Sequence, residues 1–338
     1  MPPKIEKNSL SSPVLHIQEV FDLVKDDLTE MEDGFRANLN SGVQLVSKVG
    51  QYILKSGGKR FRPMVLLLSS RLCDYTGNKH IPLAGVIELI HTATLLHDDV
   101  VDNAGLRRGS ATANTVWGDG ASILVGDYML SKAFAIAVAN NDMRVLSVLS
   151  QTTTRMAEGE VFQLLKHRDS ATTEAEYLEM VTNKTGVLIA AAAEIPAIIS
   201  EQPFEKQTAL ASFGLGLGIA YQLMDDCLDY ISTDEDLGKA VGNDLKEGKV
   251  TLPFIHAAKK AVGAELEHLK KSIGSEDMSD DALSGVLEII NRHKGIEYTV
   301  ERARGYIADA KKSIEIFAPD MDHAALITVA DFVIDRTY

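Results

Sequence analysis

The sequence predicts an all-α fold on three observations. Apolar residues recur at helical spacing almost throughout, no period-two alternation is long enough to build a sheet, and chain breakers fall between the apolar stretches. The breakers are Ser56-Gly57-Gly58, Gly77-Asn78, Gly105, Asn140-Asn141-Asp142 and Gly242-Asn243. In chain order, Ile17, Val20, Phe21, Val24 and Leu28 trace an early amphipathic stripe. Helices are then expected over 63–72, 82–98, 120–138, 145–165 and 213–230. The stretch 83–96 is apolar over most of its circumference, as a helix in the middle of a bundle should be. Beyond about Ala261 the chain is more charged and reads as peripheral helices. A length of 338 residues would permit two domains. No Pro/Ser-rich linker divides the chain, so one large domain over 1–338 is expected, with 1–14 as a flexible N-terminus.

Composition narrows the function. A net charge of −14 and a pI of about 5.1 argue against nucleic acid as the main partner. The two cysteines, Cys73 and Cys227, have neither disulfide nor zinc spacing, which fits a reducing compartment. Met1 to Pro13 lacks the apolar core of a secretory signal. The longest greasy stretch, 187–200, holds Glu194 and Pro196 and is too short to span a bilayer. A soluble, cytoplasmic protein is expected.

Two copies of one acidic pattern carry the chemistry. Asp98-Asp99-Val100-Val101-Asp102 ends one apolar helical stretch, and Asp225-Asp226-Cys227-Leu228-Asp229 ends another. In each, the first and last aspartates lie one helical turn apart on one face. Clustered carboxylates repel, and burying them unpaired is costly. Hard divalent cations between them remove both problems. Mg²⁺ takes one or two carboxylates and fills its shell with water and phosphate oxygens, so the pair reads as a diphosphate–metal site.

Basic and polar residues surround these motifs. Arg107-Arg108, in the turn Gly105 to Gly109, can offer bidentate donors to phosphate. Gly57-Gly58-Lys59-Arg60-Phe61-Arg62-Pro63 is a second basic loop, with Pro63 suited to a first helical turn. His91 and Gln222 share the faces of Asp98 and Asp225 by spacing. Asn183-Lys184-Thr185-Gly186 and the stretch Lys239 to Lys249 add cations and hydroxyls. Singly, each has a plainer reading: a solvated acidic turn, a surface lysine, a core histidine, or, for Lys239 and Lys249, neutralisation by Asp234-Glu235-Asp236 and Asp244. Cys227 reads as a packing residue. The combination carries the inference.

With these motifs in place, the chain resembles the trans-type isoprenyl diphosphate synthases, also called polyprenyl synthetases, and most of all their long-chain, octaprenyl-type branch. The likeness runs over roughly residues 15 to 338 and rests on the Gly57–Pro63 loop, both aspartate motifs, Arg107-Arg108-Gly109, Tyr221-Gln222, Gly238-Lys239 and Gly248-Lys249. It implies an orthogonal helical bundle of the isoprenoid synthase type with a central cavity. It further implies that Asp98, Asp102 and Asp225 ligate Mg²⁺, three ions in all, with Asp99, Asp226 and Asp229 nearby or acting through water. Arg107, Lys184, Thr185, Gln222, Lys239 and Lys249 would hold the allylic diphosphate; Lys59, Arg62, His91 and Arg108 would hold isopentenyl diphosphate. Two departures are visible, Tyr221 where phenylalanine is common and Ser110 where lysine is frequent. Neither removes a named ligand.

The expected reaction is repeated condensation of isopentenyl diphosphate with an allylic diphosphate such as farnesyl diphosphate. Its product would be a long all-trans chain, octaprenyl diphosphate, for quinone side chains. Asp98 marks the reactive end, and the tail should run toward the N-terminal side of the same helix. Small Ala93 and Thr94 leave that path open, with Met129, Phe134 and Leu146 as candidate floors. A homodimer and, at most, a peripheral membrane contact for product release are expected. The alternatives are a geranylgeranyl-length synthase, a terpene cyclase and a non-catalytic partner subunit; the intact second aspartate motif and the Lys59/Arg62/His91 set oppose the last two.

Overall fold

The computed structural model describes residues 15–55, 57–58, 60–107, 109–231, 242–275 and 279–336. The expectation of a flexible 1–14 lies outside these residues. The architecture is all-α: α1 Ile17–Leu23, α2 Lys25–Asn38, α3 Gln44–Lys55, α4 Phe61–Leu72, α5 His80–Val101, α6 Ala113–Trp117, α7 Asp119–Ala139, α8 Met143–Lys166, α9 Glu174–Val181, α10 Val187–Ile199 and α11 Phe204–Ile231. Helices over Asn243–Lys246, Leu252–Lys260, Ala264–Ser272, Asp280–Arg292, Gly295–Ser313 and Met321–Asp335 follow. The only sheet among the described residues is a two-residue antiparallel ladder, Leu106↔Ala111 and Arg107↔Ser110, in the expected arginine turn.

Helices α4, α5, α10 and α11 form the interior. Leu83, Val86, Ile87, Leu89 and Ile90 of α5 are at most 1% exposed, as expected for a helix apolar on every side. Helix α11 packs on α10 and on Gly295–Ser313, while α5 packs on α7 and α4. Boundaries follow the breakers, with two differences. The early stripe is split, because Val24 (φ −123°, ψ 12°) separates α1 from α2. Helix α11 begins nine residues before the expected 213, in the more polar stretch 204–212, where periodicity is faint.

Helices α9 and α10 are joined by a π-helical turn, Thr182–Gly186, so one rod runs from Glu174 to Ile199. A capping box starts it: Thr173 Oγ1 accepts from Glu176 N, and Glu176 Oε2 accepts from Thr173 N at 2.8 Å. Among the described residues one helix, α7, is long and apolar enough to cross a membrane by length and composition, and 33% of its most apolar window is buried.

Candidate active site

Both aspartate motifs occupy helix C-termini. Asp98 and Asp99 lie in the last turn of α5, and Asp102 is its C-cap, donating its amide to Asp98 O at 2.8 Å. Asp225, Asp226 and Asp229 lie in the last two turns of α11. Neither helix has a basic residue in its last turn. A helix C-terminus already carries partial negative charge, so stacking acids there is unfavourable unless cations come from elsewhere.

Around the first motif, other segments deliver those cations. Lys184 Nζ, from the π-helical turn, is 2.6 Å from Glu160 and 3.6 Å from Asp98. Lys249 Nζ is 2.9 Å from Asp102 and 2.8 Å from Glu247. Arg107 takes Asp99, Nε donating to Oδ1 at 2.8 Å. Burial, reinforced by Glu160 and Asp102 and opposed by Lys184, pushes the Asp98 carboxyl up to about 6. Burial lowers Lys249, but Asp244 and Asp102 outweigh it, so its ammonium is held above the usual range.

The second motif splits three ways. Asp226 is 3% exposed and accepts from Tyr177 Oη at 2.5 Å and Gln222 Nε2 at 2.7 Å. Gln222 Oε1 in turn accepts from Thr185 Oγ1 at 3.1 Å, linking α9, the π-helical turn and α11. Burial, then Asp244, pushes the Asp226 carboxyl well above the usual range. Asp229 accepts the backbone amides of Asn243 and Asp244 at 3.2 and 3.1 Å. Asp225 points elsewhere, to Arg336 Nη2 at 2.6 Å. The Arg336 guanidinium lies 3.7 Å from the ring centroid of Tyr221 and donates to its carbonyl.

Asp102, Lys184, Thr185, Gln222, Asp226 and Lys249 line one cavity of about 630 Å³, together with Glu160, Tyr177 and Asp244. His91, Asp99 and Arg107 line a second, of about 80 Å³, with Gly57, Gly58, Arg60 and Glu88. Arg62 Nη1 donates to His91 Nε2 at 3.1 Å. Arg107, grouped by the resemblance with Lys184, thus lies beside the His91 set in this arrangement. Ala93 is 1% exposed, and Thr94 is half-buried with its hydroxyl donating to His91 O. Met129 is fully buried, whereas Phe134 and Leu146 are partly so. Cys227 is fully buried. Lys59, Arg108 and Lys239 lie outside the described residues.

Helix packing aims Lys184. Gly159 of α8 abuts the π-helical turn so closely that a Cβ there would sit 2.9 Å from both Asn183 Cβ and Lys184 N. Beside it, Arg155 Nε and Nη2 donate to Asn183 Oδ1 at 3.0 and 2.9 Å. Sequence reasoning missed Glu160, Tyr177 and Arg336. Each reaches the site only through folding, and none lies inside a motif.

Among the described residues, no cluster of three or more His, Cys, Asp or Glu is already drawn together as a metal cage. The donor set still suits hard cations: carboxylates crowd two negative helix ends, and lysines now neutralise two of them.

An all-α shell, with aspartate clusters at two helix ends and cationic side chains across a shared cavity, marks the class of helical prenyltransferases. The polyprenyl synthetase family model matches residues 43–290. The octaprenyl diphosphate synthase of Escherichia coli (strain K12) is 38% identical over 322 residues, 95% of this chain and 99% of that one. The all-trans-nonaprenyl-diphosphate synthase of Rhodobacter capsulatus is 37% identical, over 94% and 98% of the two chains. A Caulobacter crescentus polyprenyl synthase, crystallised with calcium and isoprenyl diphosphate, superposes with a TM-score of 0.91 at 34% identity, covering 97% of this chain and all of that one. The chain belongs to the polyprenyl synthetase family and is a trans-type prenyltransferase of its long-chain branch.

Proposed function

We propose that the protein condenses isopentenyl diphosphate repeatedly with an allylic diphosphate, farnesyl diphosphate for preference, to give octaprenyl diphosphate for quinone side chains. The carrying observation is the facing pair of acidic helix ends, with Asp102 and Asp226 on one cavity wall beside Lys184, Gln222 and Lys249. Asp98, Asp102 and Asp225 would hold Mg²⁺, three ions with the allylic diphosphate, while Asp99, Asp226 and Asp229 support them. Bound there, Mg²⁺ supplies Lewis-acid neutralisation of the leaving diphosphate.

The chain's own residues do the rest. Lys184, Lys249, Thr185, Gln222, Arg107 and Lys239 grip the allylic diphosphate, and preorganised donors at the departing group are the largest catalytic term. Lys59, Arg62, His91 and Arg108 hold isopentenyl diphosphate with its double bond toward the allylic carbon. The C–O bond to diphosphate breaks, the new C–C bond forms, and a proton leaves to the departing diphosphate. No side-chain nucleophile is needed. The apolar walls of α5 and α11 exclude water from the cation.

The protein acts as a cytoplasmic homodimer, with at most peripheral membrane contact. Support for the dimer lies on α7, where Ile123, Leu124 and Val138 are 40%, 68% and 60% exposed on a mostly apolar helix. The test supplies isopentenyl diphosphate, farnesyl diphosphate and Mg²⁺, and reads product length by mass spectrometry. An octaprenyl product that disappears with EDTA is expected. No elongation, or a product ending at geranylgeranyl length, overturns the proposal.

A further inference from the structure

Arg60 stands at the N-cap of α4 in the left-handed region, φ 48° and ψ 35°. A residue with a Cβ keeps that conformation only where its surroundings over-determine it. Here two other helices do so. Arg60 Nε donates to Glu32 of α2 at 3.0 Å, and Nη1 donates to Glu88 of α5 at 2.7 Å. The Arg60 and Glu88 side chains are 15% and 8% exposed, so this is an inner ion pair rather than a solvated one. Burial lowers the guanidinium pKa, yet Glu88 and Glu32 more than reverse it, so the charge is retained.

The bridge lies next to functional side chains on both of its strands of connection. Glu88 is one turn before His91 on α5, and Arg62 is two residues beyond Arg60 on α4. Arg62 and His91 meet at 3.1 Å. Arg60 and Glu88 also border the small cavity that His91 and Arg107 line. Without Arg60, the Glu88 carboxylate would face that cavity uncompensated, where an anion is to bind.

We propose that Arg60, Glu88 and Glu32 form a positioning bridge: it fixes the backbone entering α4 so that Arg62 and His91 are preset for the diphosphate of isopentenyl diphosphate. None of the three touches that substrate. This rests on assigning Arg62 and His91 to isopentenyl diphosphate. The planar guanidinium reaches two carboxylates at once in a fixed geometry, which an ammonium cannot reproduce. Presetting a site removes ordering cost from binding, so its loss appears in the affinity for one substrate.

The test measures both KM values and kcat in the full-length protein with Mg²⁺, for Arg60→Lys and Glu88→Gln. About a tenfold rise in KM for isopentenyl diphosphate is expected from each, with KM for farnesyl diphosphate and kcat within about twofold of wild type. The double variant should be little worse than either single one, because each breaks the same bridge. Wild-type KM for isopentenyl diphosphate in folded variants, or both KM values rising together, overturns the proposal. If Glu88→Gln fails to fold, Glu32→Gln at the more exposed end of the bridge takes its place. It should raise the same KM alone by about threefold, and no change overturns the proposal. Arg62→Ala and His91→Ala separate the two levels. If they leave KM for isopentenyl diphosphate unchanged, the assignment of the pocket itself is wrong, whatever the bridge variants do.

Discussion

Tyr177→Phe removes one hydroxyl from the largely buried polar chain that joins α9, the π-helical turn and α11. Tyr177 is 3% exposed, and its Oη donates at 2.5 Å to Asp226, whose other oxygen accepts from Gln222 at 2.7 Å. Phenylalanine fills the same volume, so no cavity forms and the hydrogen bond is isolated as the variable. A bond to an acidic group in such a place is worth about 1.5–3 kcal/mol. For a chain of this size that is a fall in Tm of about 2–4 °C by calorimetry. The same loss loosens Gln222, which Asp226 anchors on one side and Thr185 on the other. About a fivefold rise in KM for the allylic diphosphate is therefore expected, with KM for isopentenyl diphosphate unchanged. An unaltered Tm would refute the energetic reasoning. A fall in Tm with both KM values unchanged would refute the link from Tyr177 to substrate.

Other perturbations test separate features. Gly159→Ala should push the π-helical turn away and lower kcat about tenfold or more with little loss of α-helical signal by circular dichroism; full activity would show that Lys184 needs no such clamp. Asp142→Ala removes the N-cap of α8, which accepts from Arg144 N at 2.9 Å, and should cost about 1–2 kcal/mol in urea unfolding at neutral pH. Arg144's side-chain bond holds the Asp142 carboxyl below its usual range, so that stabilisation is present above the unfolded value and is lost as pH falls through the folded one. The gap between wild type and variant should narrow below about pH 4; a constant gap would contradict the ionic part. Ala93→Phe should shorten the product to roughly three or four isoprene units by mass spectrometry, because a ring there would obstruct a tail running from Asp98 toward the N-terminal side of α5; an unchanged length would refute that course. Asp98→Ala and Asp225→Ala should each abolish turnover; near-normal activity with Mg²⁺ in either would remove that residue from the ligand set.

Much of the fold is legible because local and tertiary signals agree. Helices α5, α7 and α8 end within a few residues of expectation, at Gly77-Asn78, Gly105 and Asn140-Asn141-Asp142, where the chain cannot continue a helix at low cost. The break at Val24 was not legible, since a valine in step with the apolar stripe gives no stop signal. At the site, the aspartates and Gln222 stand out by spacing along their helices, and Lys184 and Lys249 by the basic stretches that hold them; spacing paired Gln222 with Asp225, whereas it bonds Asp226 and Asp225 turns to Arg336. Arg336 could not: it reaches Asp225 from the far end of the chain, and no periodicity connects the two. Glu160 and Tyr177 read as ordinary members of amphipathic helices, and only packing of α8 and α9 against the π-helical turn and α11 gives them partners.

The turn at Thr182–Gly186 sets the phase between two halves of one rod. Each residue advances an α-helix by about 100°, so a surplus residue rotates everything beyond it by that amount. Upstream, α9 must keep Tyr177 on Asp226; downstream, α10 must keep Ile189, Ala190 and Ala193 against Gly214 of α11, where a Cβ would have no room beside Ile189 O. A regular helix of the same composition could satisfy one half only. Chain length here is therefore as strict a constraint as residue identity. Exchanging Thr182 for another polar residue leaves both halves in register, whereas deleting it turns one of them away from its partners while every side chain needed for chemistry is still present.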